Sequence, residues 1–339
     1  MQNKSKKVAF ISQPEYFRFM YENDLDNFAI VKEFVFNSRM TCERLSDLLQ
    51  FNADYNIFFR GEFIPNEVLK GLRGVCINLS SEPFPRTIKN KSLFSYNSLV
   101  RYREFRSIRE KAFDYIFHYD AASLRFMRKD GLILSGHFAF PVATNVYKPL
   151  NTPINWDLFF IGRSTKHREI LFSPLKQNYR FLHIAHGLWG EQLVNYINAS
   201  KICLNTHAIN EISWEPRLQM LLACKAFVIS EPITPNDYLK PGIHYVEAKC
   251  QDEFHLLTKY YLEQSDERKK IAERGYIRVI EKLDSKKVFP VFLQNISNSQ
   301  YNKFQANSGH VFCEIFDRFW TYWQIIKKSF KTFFKRLFP

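Results

Sequence analysis

Residues 210–232, NEISWEPRLQMLLACKAFVISEP, read as a loop, a short helix and a buried strand. Pro216 falls in the first turn of the helix, where a missing N–H costs nothing. Leu218, Leu221, Leu222 and Ala223 form its buried side, and Ala226 to Ile229 is an apolar run of strand length that Pro232 stops. A polar loop that runs into a helix N-terminus suits an anion, because unpaired backbone N–H groups and the helix dipole point at it. Arg217 adds a formal charge in that first turn. The plain alternative is an ordinary buried β–α unit.

Working outward, the pattern repeats. Lys7–Ser12, Asp54–Phe59, Val75–Leu79 and Asp114–Phe117 read as strands in the first half, and residues 16–50 read as mostly helical. Residues 141–157, rich in Asn, Thr and Pro, read as a linker. The alternation then restarts with Leu158–Ile161, Tyr179–Ala185 and Lys201–Leu204, and two amphipathic helices close it over 253–264 and 266–283. Strands alternating with helices predict parallel sheets, which bind ligands at the carboxyl ends of their strands. The expected fold class is α/β: an N-terminal domain over 1–150, a C-terminal domain over 151–290, and a tail over 291–339 with a hinge in its Asn-rich stretch 295–307. The 339 residues are ample for two cores.

A net charge of +14 predicts an anionic partner. The six cysteines are widely spaced without a C-x-x-C, which fits reduced structural thiols and argues against zinc. No apolar run is long enough to span a bilayer. From Phe312 onward, apolar residues at 312, 316, 319, 323, 326, 330, 333 and 337 mark one helical face, mostly Phe and Trp, beside Lys327, Lys328, Lys331, Lys335 and Arg336. That combination describes a helix lying on an anionic membrane surface, or else one packed back on the first domain. Nucleic acid is not expected, because no recognition motif accompanies the charge.

The chain lacks P-loop, dinucleotide-binding, nucleophile-elbow and HExxH signatures. Asp24-Leu-Asp26 looks like a metal-binding pair but sits in a polar helical context and reads as surface. The remaining chemistry lies just after strands: Arg60, Glu62, Ser81, Glu82, His118 and Asp120 in the first half, and Gly162, Arg163, Arg168, His186, Gly187, Asn205, His207 and Arg217 in the second. A diphosphate needs fixed cations and N–H donors, and glycines let backbone approach it. His118 is open between a catalytic or ligand-binding group and a loop histidine without a role.

The ordered pieces resemble bacterial group 1 glycosyltransferases of the spore-maturation-protein type. They are Asp157-Leu-Phe-Phe-Ile-Gly162 with Arg168, His186-Gly187, Leu204-Asn-Thr-His207, Arg217 to Phe227, and Glu267-Arg268 with Gly275. The first half adds Phe59-Arg-Gly-Glu62, Ser81-Glu-Pro83 and Phe140 to Asn145, so the resemblance covers about residues 50–285. It implies a GT-B architecture, two Rossmann-like domains facing a cleft, and sugar transfer from a nucleotide-sugar to a glycan or lipid-linked acceptor. No cofactor or metal is implied, and retention of configuration is the family expectation. Arg163, Arg168 and Arg217 would converge on the departing diphosphate. Gly162, His186, Gly187, Asn205, His207, Glu215 and Gln219 would line the donor site, and Glu62, Glu82, His118 or Asp120 would position or deprotonate the acceptor hydroxyl. Surface polysaccharide or lipopolysaccharide synthesis at the cytoplasmic membrane face fits the basic tail. Two positions depart from the family: Met220 replaces a Glu expected on sugar or ribose hydroxyls, and Lys225 replaces a capping Gly. They leave open a non-catalytic nucleotide- or glycan-binding protein.

Overall fold

The computed structural model describes residues 6–25, 28–36, 45–209 and 213–307, with the single residues 318 and 322. The 312–338 face read as membrane-binding therefore lies outside the described residues, apart from Arg318 and Tyr322, as do Cys42, Cys313 and Asp26.

Two parallel sheets organise the chain. The first holds β1 (Lys6–Ser12), β2 (Phe28–Val35), β3 (Tyr55–Phe59), β4 (Val75–Ser80), β5 (Tyr115–His118) and β6 (Gly136–His137), in the order β2-β1-β3-β4-β5-β6. The second holds β7 (Trp156–Ile161), β8 (Phe181–Ile184), β9 (Ser200–Asn205), β10 (Val228–Ser230) and β11 (Val246–Glu247), in the order β8-β7-β9-β10-β11. Every pairing within both sheets is parallel. Each order reverses once, between β1 and β3 and between β7 and β9, and such switch points are where open α/β sheets bind ligands.

Residues 16–50 depart from the expected helix. The run Phe-Ala-Ile-Val-Lys-Glu-Phe-Val is β2, aligned residue for residue along β1 from Lys7 onward. Its β-branched and aromatic side chains fit a pleated surface better than a helix.

The helix Ser285–Ser297 has no counterpart in the sequence reading. It leaves the second domain and packs on the first sheet, with the Phe289 ring 5.0 Å from Phe10 and Phe292 4.9 Å from Phe117. Burying such rings contributes about 1.5–3 kcal/mol each. Asp284 caps the helix by accepting from the Lys286 N–H and also from the Thr144 hydroxyl at 2.9 Å. Backbone bonds from Val142 to Leu283 and from Ser285 to Val142 stitch this crossing to the linker. The stretch read as a hinge is held as well: Ser297 bonds Tyr55, and Gln305–Ala306 pairs antiparallel with Leu132–Ile133.

The helix Arg217–Ala223 ends in a Schellman motif, with Lys225 N–H bonding Leu222 and Ala226 N–H bonding Leu221. Lys225 has φ +58, the left-handed region that disfavours a side chain. Its ammonium meets Glu273 in return. Lys225→Gly is expected to raise stability by about 0.5–1 kcal/mol, read from urea unfolding; a loss would mean the Glu273 contact outweighs the backbone strain.

Candidate active site

The carboxyl ends of β7 and β9 meet around one aromatic ring. Phe160 is fully buried, and two guanidinium groups lie over it, Arg168 at 4.9 Å and Arg217 at 4.7 Å from the ring centroid. Both donate to the Thr206 carbonyl, at 2.9 and 3.2 Å. Arg168 also reaches the Arg163 carbonyl at 2.8 Å, so it ties the loop after β7 to the loop after β9. Arg217 donates to Asn205 at 3.0 Å and to Glu215 at 3.3 Å. Burial, then the neighbouring Arg217, pulls the Arg168 guanidinium down to about 10, which leaves it charged at neutral pH.

Carboxylates compensate these charges. Burial alone would raise the Glu215 carboxyl, but Arg217 and His207 hold it below its usual range. Burial alone would strip the proton from His207, but Glu215 and the Pro232 carbonyl raise it instead. Glu231 accepts from the His207 N–H at 2.6 Å and pairs with His167 at 2.7 Å.

Between the sheets lies a cleft with two adjoining chambers that share Tyr16, Glu215 and Pro216. The larger, about 730 Å³, runs along the second sheet past Gly162, His186, Gly187 and Gly190 to Glu215, Arg217 and Met220. Tyr16, Arg18 and Phe19 close it from the first domain. Gly187 has φ +89, so the loop after β8 takes a course closed to other residues. That loop feeds the helix Gly190–Asn198, whose N-terminus has no side-chain cap. A Cβ on Gly162 would sit 3.2 Å from Arg168 Nη1, so this glycine lets the loop lie against the guanidinium.

The smaller chamber, about 560 Å³, opens on the first sheet past Gln13, Arg60, Glu82 and Arg101, with Arg163 and His207 on the opposite wall. Gln13 and Arg60 follow β1 and β3, the switch point of that sheet. Arg60 is held at φ +64 by Glu62 at 2.7 Å and Glu82 at 2.5 Å.

The expected residues divide accordingly. Gly162, His186, Gly187, Glu215 and Arg217 come together in the larger chamber, while His207 and the exposed Arg163 line the smaller one. The three arginines therefore do not meet in one pocket: Arg168 is 3 % exposed, lines neither chamber and serves as a strut. Asn205 is fully buried between Arg217 and Ser230. Gln219 points away, donating to the Phe140 carbonyl of the linker. Glu62 lies behind Arg60, and burial raises its carboxyl. His118 is fully buried, stacked on Phe84 and bonded to Ser80, so it cannot reach an acceptor in the chamber. Asp120 caps the helix Ala121–Lys129 and pairs with Arg86 at 2.6 Å.

The sequence reading missed Tyr16, Arg18, Trp189 and Gly190. A glycine pair three residues apart between a strand and a helix, Gly187 and Gly190, was the available signal. The first-domain residues carried none, because their side of the cleft is set by how the domains pack.

Residues 163–293 match the family model described as glycosyl transferase-like. Among solved structures, the chain is similar to Anabaena Alr3699/HepE in complex with UDP and glucose, with TM-score 0.54 and 10 % identity over 86 % of this chain and 100 % of that one. It is also similar to sucrose-phosphate synthase from Thermosynechococcus elongatus, with TM-score 0.54 and 9 % identity over 86 % and 98 %. An alpha-glucosyltransferase in complex with UDP-glucose and DNA containing an abasic site gives TM-score 0.57 and 11 % identity over 86 % and 100 %. These likenesses establish the GT-B fold. No curated protein matches the sequence.

Burial pushes the His118 imidazole down to about 4. The unfolded chain then binds a proton between about pH 6.5 and 4 that the folded chain refuses, so stability falls as pH drops through that window. His118→Asn is expected to flatten this part of the stability–pH profile while leaving ligand binding intact; an unchanged profile would show that His118 titrates normally.

Proposed function

We propose that this chain, a glycosyltransferase of GT-B architecture, transfers a sugar from a nucleotide-sugar to a glycan or lipid-linked acceptor, with the donor in the larger chamber and the acceptor in the smaller. The single observation behind this reading is that the two chambers adjoin at Tyr16, Glu215 and Pro216, the larger beyond the carboxyl ends of β7 and β8 and the smaller beyond those of β1 and β3. Donor and acceptor then meet without crossing protein.

The leaving diphosphate is assigned to the wall formed by Gly187, the N-terminus of the helix Gly190–Asn198, and Arg217. Backbone N–H groups and a fixed guanidinium there would stabilise the charge that grows as the glycosidic bond breaks. Arg163, on the opposite chamber wall, is assigned to the sugar or acceptor side, and Arg168 to holding the loops. Glu215, at the junction, replaces Glu62 and His118 as the group to orient the acceptor hydroxyl. No cofactor takes part in this scheme, and retention of anomeric configuration follows from the resemblance. Uridine diphosphate is the first nucleotide to try, because HepE is in complex with UDP and the alpha-glucosyltransferase with UDP-glucose. The basic aromatic tail over 312–338 supports a place on the cytoplasmic membrane face and an acceptor destined for surface polysaccharide or lipopolysaccharide.

Met220 favours a second reading. It lines the donor chamber where the family carries a carboxylate, as expected of a protein that binds nucleotide without turnover. The two separate experimentally. On the first reading, UDP at a hundredfold excess over its Kd adds about 2.7 kcal/mol of thermal stability, and donor hydrolysis is measurable. Arg163→Ala should then lower turnover by about 10²-fold, the cost of one electrostatic donor, with the shift by UDP retained. Stabilisation by UDP without any hydrolysis would support the second reading; no stabilisation by any nucleoside diphosphate would end both.

A further inference from the structure

We propose that the hairpin at residues 86–96 is a membrane-docking element that seats the acceptor chamber against an anionic bilayer. The inference rests on the proposed lipid-linked acceptor and adds a contact surface distinct from the C-terminal tail.

The hairpin pairs Arg86–Ile88 with Lys91–Leu93 around a turn in which Lys89 and Asn90 both have positive φ. In its ladder, Arg86 opposes Leu93 and Ile88 opposes Lys91, so these four share one face. Thr87 turns the other way and is buried. Ile88, Leu93, Phe94 and Tyr96 are left 40, 52, 58 and 50 % exposed. A domain that needed only to stay dissolved would not place four large apolar side chains within nine residues of surface chain.

Charge selects the occupant. Between Glu82 and Glu104 the chain carries Arg86, Lys89, Lys91, Arg101 and Arg103 and no carboxylate. Arg86 is engaged by Asp120 and Arg101 by Glu82, while Lys89 and Lys91 stand exposed at the turn. Apolar and aromatic side chains ringed by lysine and arginine match the interface of an anionic bilayer, where rings sit at headgroup depth and cations meet lipid phosphate. A protein partner is the weaker match, because a stable interface takes about 800 Å² from each side, more than these four side chains present.

Position supplies the purpose. The segments entering and leaving the hairpin line the smaller chamber, through Ser81–Pro83 on one side and Asn97, Ser98 and Arg101 on the other. Ser95 and Ser98 form a capping box that fixes the hairpin exit to the helix Tyr96–Phe105. A bilayer touching the hairpin tip would therefore lie at that chamber's mouth, where a lipid-linked hydroxyl enters without leaving the membrane surface.

The test is flotation of the full chain with vesicles of phosphatidylcholine alone and of phosphatidylcholine mixed with phosphatidylglycerol. The unaltered chain should partition to the mixed vesicles. Lys89→Glu with Lys91→Glu, and separately Leu93→Ser with Phe94→Ser, should each lower that partitioning by about tenfold or more. The stabilisation by UDP should be retained, which shows that both variants fold. Should the Leu93/Phe94 variant not fold, the exposed lysine pair decides. Partitioning equal to that of the unaltered chain overturns the inference and leaves the patch to a protein or membrane binding to the tail alone. If UDP does not stabilise the unaltered chain either, reduced partitioning by a variant whose melting temperature matches that of the unaltered chain upholds the docking surface and refutes only the donor reading.

Discussion

Two like charges stacked on one phenylalanine hold the second domain's binding loops in place. Arg168 and Arg217 are both nearly buried against Phe160, and both spend a hydrogen bond on the Thr206 carbonyl. Burying two guanidiniums side by side is unfavourable unless counter-charge and hydrogen bonds surround them. Glu215 provides the counter-charge at Arg217, while the Arg163 and Thr206 carbonyls and Asn205 provide the bonds. The loops after β7 and β9 are thereby tied to each other. Electrostatic catalysis needs such groups already in position, because charges that must reorganise during the reaction lose most of their effect.

The cleft depends on a second constraint, the way the chain returns. After the second sheet is complete, the helix Ser285–Ser297 goes back and buries Phe289 and Phe292 among the aromatic side chains of the first sheet. The linker is bonded to this crossing at Val142, and Gln219 reaches across to Phe140. Arg86 adds a bond to the Thr234 carbonyl of the opposite domain. The domains thus meet along one edge through specific contacts and leave the strand ends facing each other.

Much of this was legible in the sequence because parallel sheets write themselves plainly. Apolar runs such as Ala226–Ile229 and Leu158–Ile161, each followed by polar residues, located both the strands and their ligand-facing ends. Reading failed where local pattern and tertiary use diverge. β2 read as helix because nothing in residues 28–35 reveals that β1 offers them an open edge. The helix Ser285–Ser297 went unseen because Pro290 sits inside it, tolerated in a helix held by packing rather than propensity. Within the site, positions after strands were found, but direction was not. Arg168 and Arg163 look equivalent in sequence, yet one is a buried strut and the other an exposed group. His118 and Glu62 also follow strands, and burial removes both from the chamber.

The central claim is that the larger chamber holds a nucleoside diphosphate against Gly187, Gly190 and Arg217. Crystals of the chain grown with UDP test it most directly. The account predicts diphosphate density within hydrogen-bond reach of those backbone N–H groups and of the Arg217 guanidinium, with Arg168 still bonded to Thr206. Nucleotide density confined to another face of the molecule, with the chamber filled only by solvent, would contradict it.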